Sequence, residues 1–197
     1  MRKLTRDDIV DIAAYERERS EFRRHVIDVK KRRRVEVGEQ VTLVFENLDT
    51  MRFQIQEIMR AERIVLDERT QEELDIYNEL LPEPGQLTAT LFIEVSEQAR
   101  VKEVLDQMWG LDQTGTTYFQ IGGGERVMGL YEGGHSHESK ISAVHYVTFT
   151  FTAAQVQALV DGAEPVRLIV DHPNYQRDIT LSDDVRRSLA EDFQATE

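Results

Sequence analysis

TLVFENLDTMRFQIQEIMRAERIV, running from Thr42 to Val65, joins a strand-like run to the clearest amphipathic helix in the chain. Val41, Leu43 and Phe45 alternate with polar or smaller neighbours, which is the period-two pattern of a half-buried strand. Asn47, Asp49 and Thr50 then supply helix N-cap residues. At about 100° per residue, Leu48, Met51, Ile55, Ile58, Met59, Val65 and Leu66 fall into one stripe on the helix that follows. Phe53 and Ile64 lie opposite that stripe, so the helix is expected to be covered on two sides and to sit centrally. Glu62 falls within the stripe. An ionised carboxylate left unpaired on a buried face costs roughly several kcal/mol, so Glu62 is expected to meet a cation or metal, take up a proton or reach the edge of the core, with a buried ion pair to an arginine as the main reading.

Upstream, Thr5-Arg-Asp-Asp8 reads as a helix start, with Ile9, Ile12 and Ala13 facing inward. A second helix is predicted from Tyr15 to Arg34, with Phe22, Val26 and Val29 at helical spacing. Its end holds Lys30, Lys31, Arg32, Arg33 and Arg34, a cationic run suited to the carbonyl end of a helix, with Gly38 close behind as a stop. This run is the candidate partner-binding segment, solvated and docked either on an acidic protein partner or on the chain's own acidic body. Nucleic acid is disfavoured as its target, because the chain's pI is near 4.9 and no nucleic-acid motif accompanies the run.

Downstream, a helix is predicted from Asp67 to about Leu81, with Leu74, Tyr77 and Leu81 on one face and Asn78 beside Tyr77. Two helices joined by a short turn form a helical hairpin. Glu62, Glu46, Tyr77 and Asn78 are together its candidate buried polar site. Pro82-Glu-Pro84-Gly85 ends the helical pattern. Beyond it strands are expected over 87–95, 116–121, 125–131, 141–151, 166–170 and 177–181, with helices over 97–109, 152–160 and 182–193. The triple glycine at 122–124 lacks the spacing of a phosphate loop and reads as a hairpin turn. The fold class is α+β: N-terminal helices and a helical hairpin packed with a largely antiparallel sheet. A single domain is expected over 1–197, helix-rich over 1–81 and sheet-rich over 86–197.

The 197 residues are 40% hydrophobic and 31% charged, enough for a core that needs no disulfide. The absence of cysteine removes thiolate catalysis and cysteine-ligated metal, leaving His, Asp and Glu as the ligands available. The net charge of −13 is uneven: residues 1–34 carry 12 Lys+Arg against 7 Asp+Glu, and the remainder 12 against 30. No apolar run approaches the roughly 18 residues that would cross a membrane. The charged start has no signal-peptide core, so a cytoplasmic location and no membrane partner are expected.

No G-x-S-x-G elbow and no H-E-x-x-H occurs. His135 and His137, after a run of glycines, resemble the opening of a cupin metal motif, but the glutamate expected beyond them is missing and an exposed loop is the simpler reading. His145 lies on the apolar face of the strongest strand, and His172 precedes Pro173 in a turn. These four histidines are weak metal candidates. No metal is favoured and no cofactor is indicated.

Ordered segments across nearly the whole chain carry a resemblance: Arg2-Lys-Leu-Thr, Lys31-Arg-Arg-Arg34, Phe45-Glu-Asn, Gln54-Ile-Gln-Glu57, Arg60-Ala-Glu-Arg-Ile64, Tyr77-Asn-Glu-Leu80, Ala89-Thr-Leu-Phe-Ile-Glu94, Ile141-Ser-Ala-Val and Asp171-His-Pro-x-Tyr175. In them the chain resembles the bacterial family catalogued as domain of unknown function 3501. The resemblance implies a setting beside a rubrerythrin-like protein and an iron–sulfur oxidoreductase, and it carries over no catalytic residue. The expected function is a cytoplasmic accessory or interaction protein linked to a redox or oxidative-stress system, without catalysis of its own. The alternatives are a metal-dependent or carboxylate-based enzyme with its site near Glu62, and a nucleic-acid-linked regulator using Lys30 to Arg34.

Overall fold

The computed structural model describes residues 1–133 and 141–194. Among these residues eight strands form one antiparallel sheet: β1 (Arg34–Val37), β2 (Val41–Phe45), β3 (Gln86–Ile93), β4 (Thr117–Ile121), β5 (Val127–Tyr131), β6 (Val144–Thr150), β7 (Val166–His172) and β8 (Tyr175–Thr180). Their order is β1-β2-β3-β6-β5-β4-β7-β8. The expected antiparallel sheet is therefore present, but it curls until its two edge strands approach each other as a near-closed barrel. At the seam the Tyr175 hydroxyl donates to the Val37 carbonyl at 2.7 Å and accepts from the Gln40 N–H at 3.1 Å. Gly38, at φ 79°, turns the chain between β1 and β2, and a side chain there would collide with the Tyr175 hydroxyl. Closure leaves fewer unpaired strand groups for another chain to template on.

Alternation sorts each strand between the barrel interior and its outer wall. Leu43 and Phe45 of β2, Leu87, Ala89 and Leu91 of β3, and Val147 and Phe149 of β6 point inward, where Phe119 meets Phe149 edge-on with ring centroids 4.8 Å apart. Burying each such side chain contributes about 1.5–3 kcal/mol. The helices α5 (Ala153–Asp161) and α6 (Asp183–Gln194) contribute Leu159 and Leu189 to the same core. A capping box of Thr152 with Gln155 starts α5, and Gly162 in the left-handed region ends it.

Beside the outer wall lies a layer of three helices, α1 (Ile12–Lys31), α2 (Leu48–Glu62) and α3 (Asp67–Glu79), in which α1 and α3 both pack on α2. Asn47 and Thr50 cap α2 reciprocally, as the sequence predicts. Met51, Ile55 and Met59 of α2 pack with Leu74, Leu81, Leu4 and Ile9 in a second core, against which Tyr77 and Tyr146 also rest. A short helix α4 (Val101–Gln107) completes the fold.

Two expectations about the N-terminal third are corrected. Thr5 starts only a single 3-10 turn over Arg6–Asp8, and Asp11 caps the long first helix. That helix stops at Lys31, so the basic run spans a helix end, a turn and the start of β1. Val35 and Val37 alternate inward there, and Gly38 serves the hairpin rather than the helix.

Candidate functional site

Glu62 is exposed, which overturns its placement within a buried stripe. It is the last residue of α2, and Arg63 leaves the helix in the left-handed conformation at φ 55°. Val65 and Leu66 consequently project into solvent, and Glu62 approaches Arg69 at 4.0 Å, its one ion pair among the described residues. Asn78 is a clamp: its side-chain amide accepts from Leu4 N–H at 2.8 Å and donates to Leu4 C=O at 2.9 Å, pinning the N-terminal arm.

Glu46 and Tyr77 do come together, in a cleft of about 610 Å³ between the barrel wall and the helical layer. Continuing the alternation of β2, Phe45 points into the barrel and Glu46 out of it. The cleft is lined by Val44, Thr90, Phe92, Val144 and Tyr146 from the wall, by Phe53, Gln54, Glu57 and Ile58 from α2, and by Lys30, Arg34 and Tyr77. Thr90 Oγ1 donates to Glu46 Oε1 at 2.6 Å, whereas Glu46 Oε2 has no hydrogen-bond partner among the described residues although Glu46 is only 2% exposed. Burial raises the Tyr77 phenol above its ordinary range, with Tyr146, Glu73, Glu62 and Glu46 adding to the shift. Tyr146 is raised in the same direction by burial and then by Glu46 and Glu132.

Glu57, on the same cleft, is fully engaged. Arg19 donates to both its carboxylate oxygens, at 2.7 and 2.8 Å, and the Tyr15 hydroxyl donates at 2.6 Å. The Arg19 hydrogen bonds are the largest cause of a carboxyl pKa lowered to about 2. Arg34 is engaged too, through Glu94 at 2.6 Å and Glu36 at 3.3 Å. Lys30 is half-buried and makes no ion pair among the described residues.

The rest of the basic run does not form one solvated patch. Lys31 and Arg32 are exposed, and Lys31 pairs with Asp28 at 2.9 Å. Arg33 is 1% exposed, which contradicts its role in partner binding. Its guanidinium donates to the carbonyls of Phe45, Glu46 and Ser188 and to both oxygens of Asp192. All five of its N–H donors are thereby used, and α6 is tied to the strand β2. Burial pushes the Asp192 carboxyl upward against the pull of Arg33. The buried arginine–carboxylate pair expected at Glu62 exists here instead.

The histidines that can be placed have structural partners. His145 is buried inside the barrel end, with Nε2 2.8 Å from the Ser142 carbonyl and its ring edge-on to Tyr131. His172 accepts from Asn174 N–H at Nδ1, 3.2 Å, so Nε2 carries the proton donated to Trp109 C=O at 2.9 Å. His135 and His137 lie outside the described residues. Among the described residues no three His, Asp or Glu side chains converge as a metal site would require, and no helix is long and apolar enough to cross a membrane. Sequence reasoning missed Thr90 and Tyr146. Alternation along β3 and β6 would have found them, since it places both on the outward face that Glu46 shares.

Residues 3–193 match the family described as protein of unknown function, DUF3501. The chain belongs to that family. A crystal structure of a protein of unknown function from Burkholderia pseudomallei K96243 is similar over 97% of this chain and 99% of that one, at 31% identity and a TM-score of 0.89. No curated protein matches the chain.

Proposed function

We propose that this protein works by binding, with the cleft between the barrel wall and the helical hairpin as the recognition site for a small molecule. The observation that carries this reading is Glu46. A buried carboxylate oxygen without a hydrogen-bond donor costs about 1–3 kcal/mol or more, and no packing requirement explains it, because Thr90 already satisfies the other oxygen. Elsewhere the chain satisfies a buried carboxylate completely, at Asp192. The volume of the cleft lies in the range of about 300–1,000 Å³ typical of small-ligand pockets, and its lining mixes aromatic and aliphatic groups with a few polar ones.

An accessory role in a redox or oxidative-stress system, in the cytoplasm and beside a rubrerythrin-like protein or an iron–sulfur oxidoreductase, belongs to this reading as its setting. With no cysteine the chain brings no thiol chemistry of its own, so such a role is exercised through the ligand carried or the protein met. The exposed residues Lys31 and Arg32 are what is left of the basic run for a protein partner.

The test is a fragment screen by NMR on protein labelled at tyrosine. Fragments that bind should shift Tyr77 and Tyr146 together, and Glu46→Gln should abolish the shifts caused by fragments that carry a donor for its carboxylate. A screen in which no fragment moves these two signals, or in which every donor-bearing fragment binds Glu46→Gln as well as the wild type, refutes the reading.

A further inference from the structure

The geometry points to a zwitterion as the ligand of this cleft: a small molecule with an ammonium group at one end, a carboxylate at the other and a short apolar linker between them. The inference rests on the proposed binding role and names the chemical class that the site would take.

The charges around the cleft sort into satisfied and unsatisfied ones. Glu57 is held by Arg19 and Tyr15, and Arg34 by Glu94 and Glu36. Two remain. Among the described residues, Glu46 in the lining has an oxygen with no donor, and Lys30 has no ion pair. They are opposite in sign and line one cavity, yet they do not pair with each other.

A purely anionic ligand would satisfy Lys30 and leave the Glu46 oxygen stranded beside a second negative charge. A purely cationic ligand would do the reverse. A ligand carrying both charges meets both groups and leaves the net charge of the cleft unchanged, so neither end is desolvated without compensation. An ammonium donates hydrogen bonds only, which is what a bare carboxylate oxygen requires. Tyr77 and Tyr146 line the same cleft, and aromatic faces near a cation add attraction of their own. Phe53, Ile58, Phe92 and Val144 provide an apolar wall for a methylene linker.

The experiment is calorimetric titration of the full chain with glycine, γ-aminobutyrate and ε-aminocaproate, which vary the separation of the two charges. Butylamine, butyrate and butyramide serve as one-ended and neutral controls, and the tyrosine NMR signals report occupancy of the cleft. One of the three zwitterions should bind at least tenfold more tightly than any control. Glu46→Gln should weaken the zwitterion and butylamine at least tenfold while sparing butyrate. Lys30→Gln, at a half-buried position with no ion pair among the described residues, should spare butylamine and weaken the other two. If a control shifts Tyr77 and Tyr146 and binds as tightly as every zwitterion, the inference is overturned and the binding role stands. If no probe shifts either tyrosine, both fall.

Discussion

Arg33→Met is the perturbation whose magnitude the structure fixes most closely. The wild-type guanidinium is 1% exposed and spends all five donors, three on the carbonyls of Phe45, Glu46 and Ser188 and two on the Asp192 carboxylate. Methionine fills most of the volume but donates nothing. Leaving a buried carboxylate without its cation costs about 3–5 kcal/mol, and each stranded carbonyl adds about 1 kcal/mol. The expected loss of about 5 kcal/mol or more is comparable to the whole stability of a marginal domain. Urea unfolding followed by circular dichroism should therefore find the variant largely unfolded, or with a midpoint close to zero denaturant. Arg33→Met combined with Asp192→Leu removes the stranded charge as well. It should be less destabilised than the sum of the two single variants by about 2 kcal/mol or more. A single variant that loses under about 1 kcal/mol, or a double variant that loses the plain sum, would refute the reasoning.

Other consequences follow from particular contacts. Glu62→Ala should change stability by no more than about 0.5 kcal/mol in the same assay, because the side chain is exposed and its approach to Arg69 is long. Tyr175→Phe should cost about 1–2 kcal/mol and speed hydrogen exchange at Gln40, since the hydroxyl bridges the barrel seam. Glu57 has a folded pKa of about 2 against an ordinary value of 4.5, so the unfolded chain takes up its proton first as pH falls. Its stabilising contribution is complete above about 4.5 and disappears as pH drops through about 2; on the acid side Glu57→Gln should flatten the stability profile within that window.

Local pattern made much of this legible, and the failures have local causes. The hairpin across 122–124, the α5 and α6 helices and the strands β7 and β8 follow from alternation, glycine turns and caps, all readable within a few residues. Closure of the sheet does not, because it depends on Tyr175 meeting Val37 across 138 positions of sequence. The basic run concealed β1: five consecutive cations read as a helix end, while the inward alternation of Val35 and Val37 was the weaker signal. A buried arginine–carboxylate pair is expected at Glu62 and is found instead between Arg33 and Asp192. Its displacement from Glu62 to Arg33 and Asp192 turns on Arg63, a non-glycine residue whose left-handed conformation ends α2 one step after Glu62. Glu46 and Tyr77 were identifiable because each stands beside a strongly patterned element. Lys30 reads in the sequence like its charged neighbours, and only its place in the lining of the cleft separates it from them.

The central claim is that Glu46 is kept for a ligand and not for the fold, and equilibrium urea unfolding of the unliganded wild type and Glu46→Gln tests it most directly. The substitution preserves the acceptor for Thr90 and replaces the stranded oxygen with a neutral amide nitrogen. The account predicts that the variant is at least as stable as the wild type, the behaviour of a site that gives up stability for function. A loss of more than about 1 kcal/mol would make Glu46 a structural residue and contradict the claim.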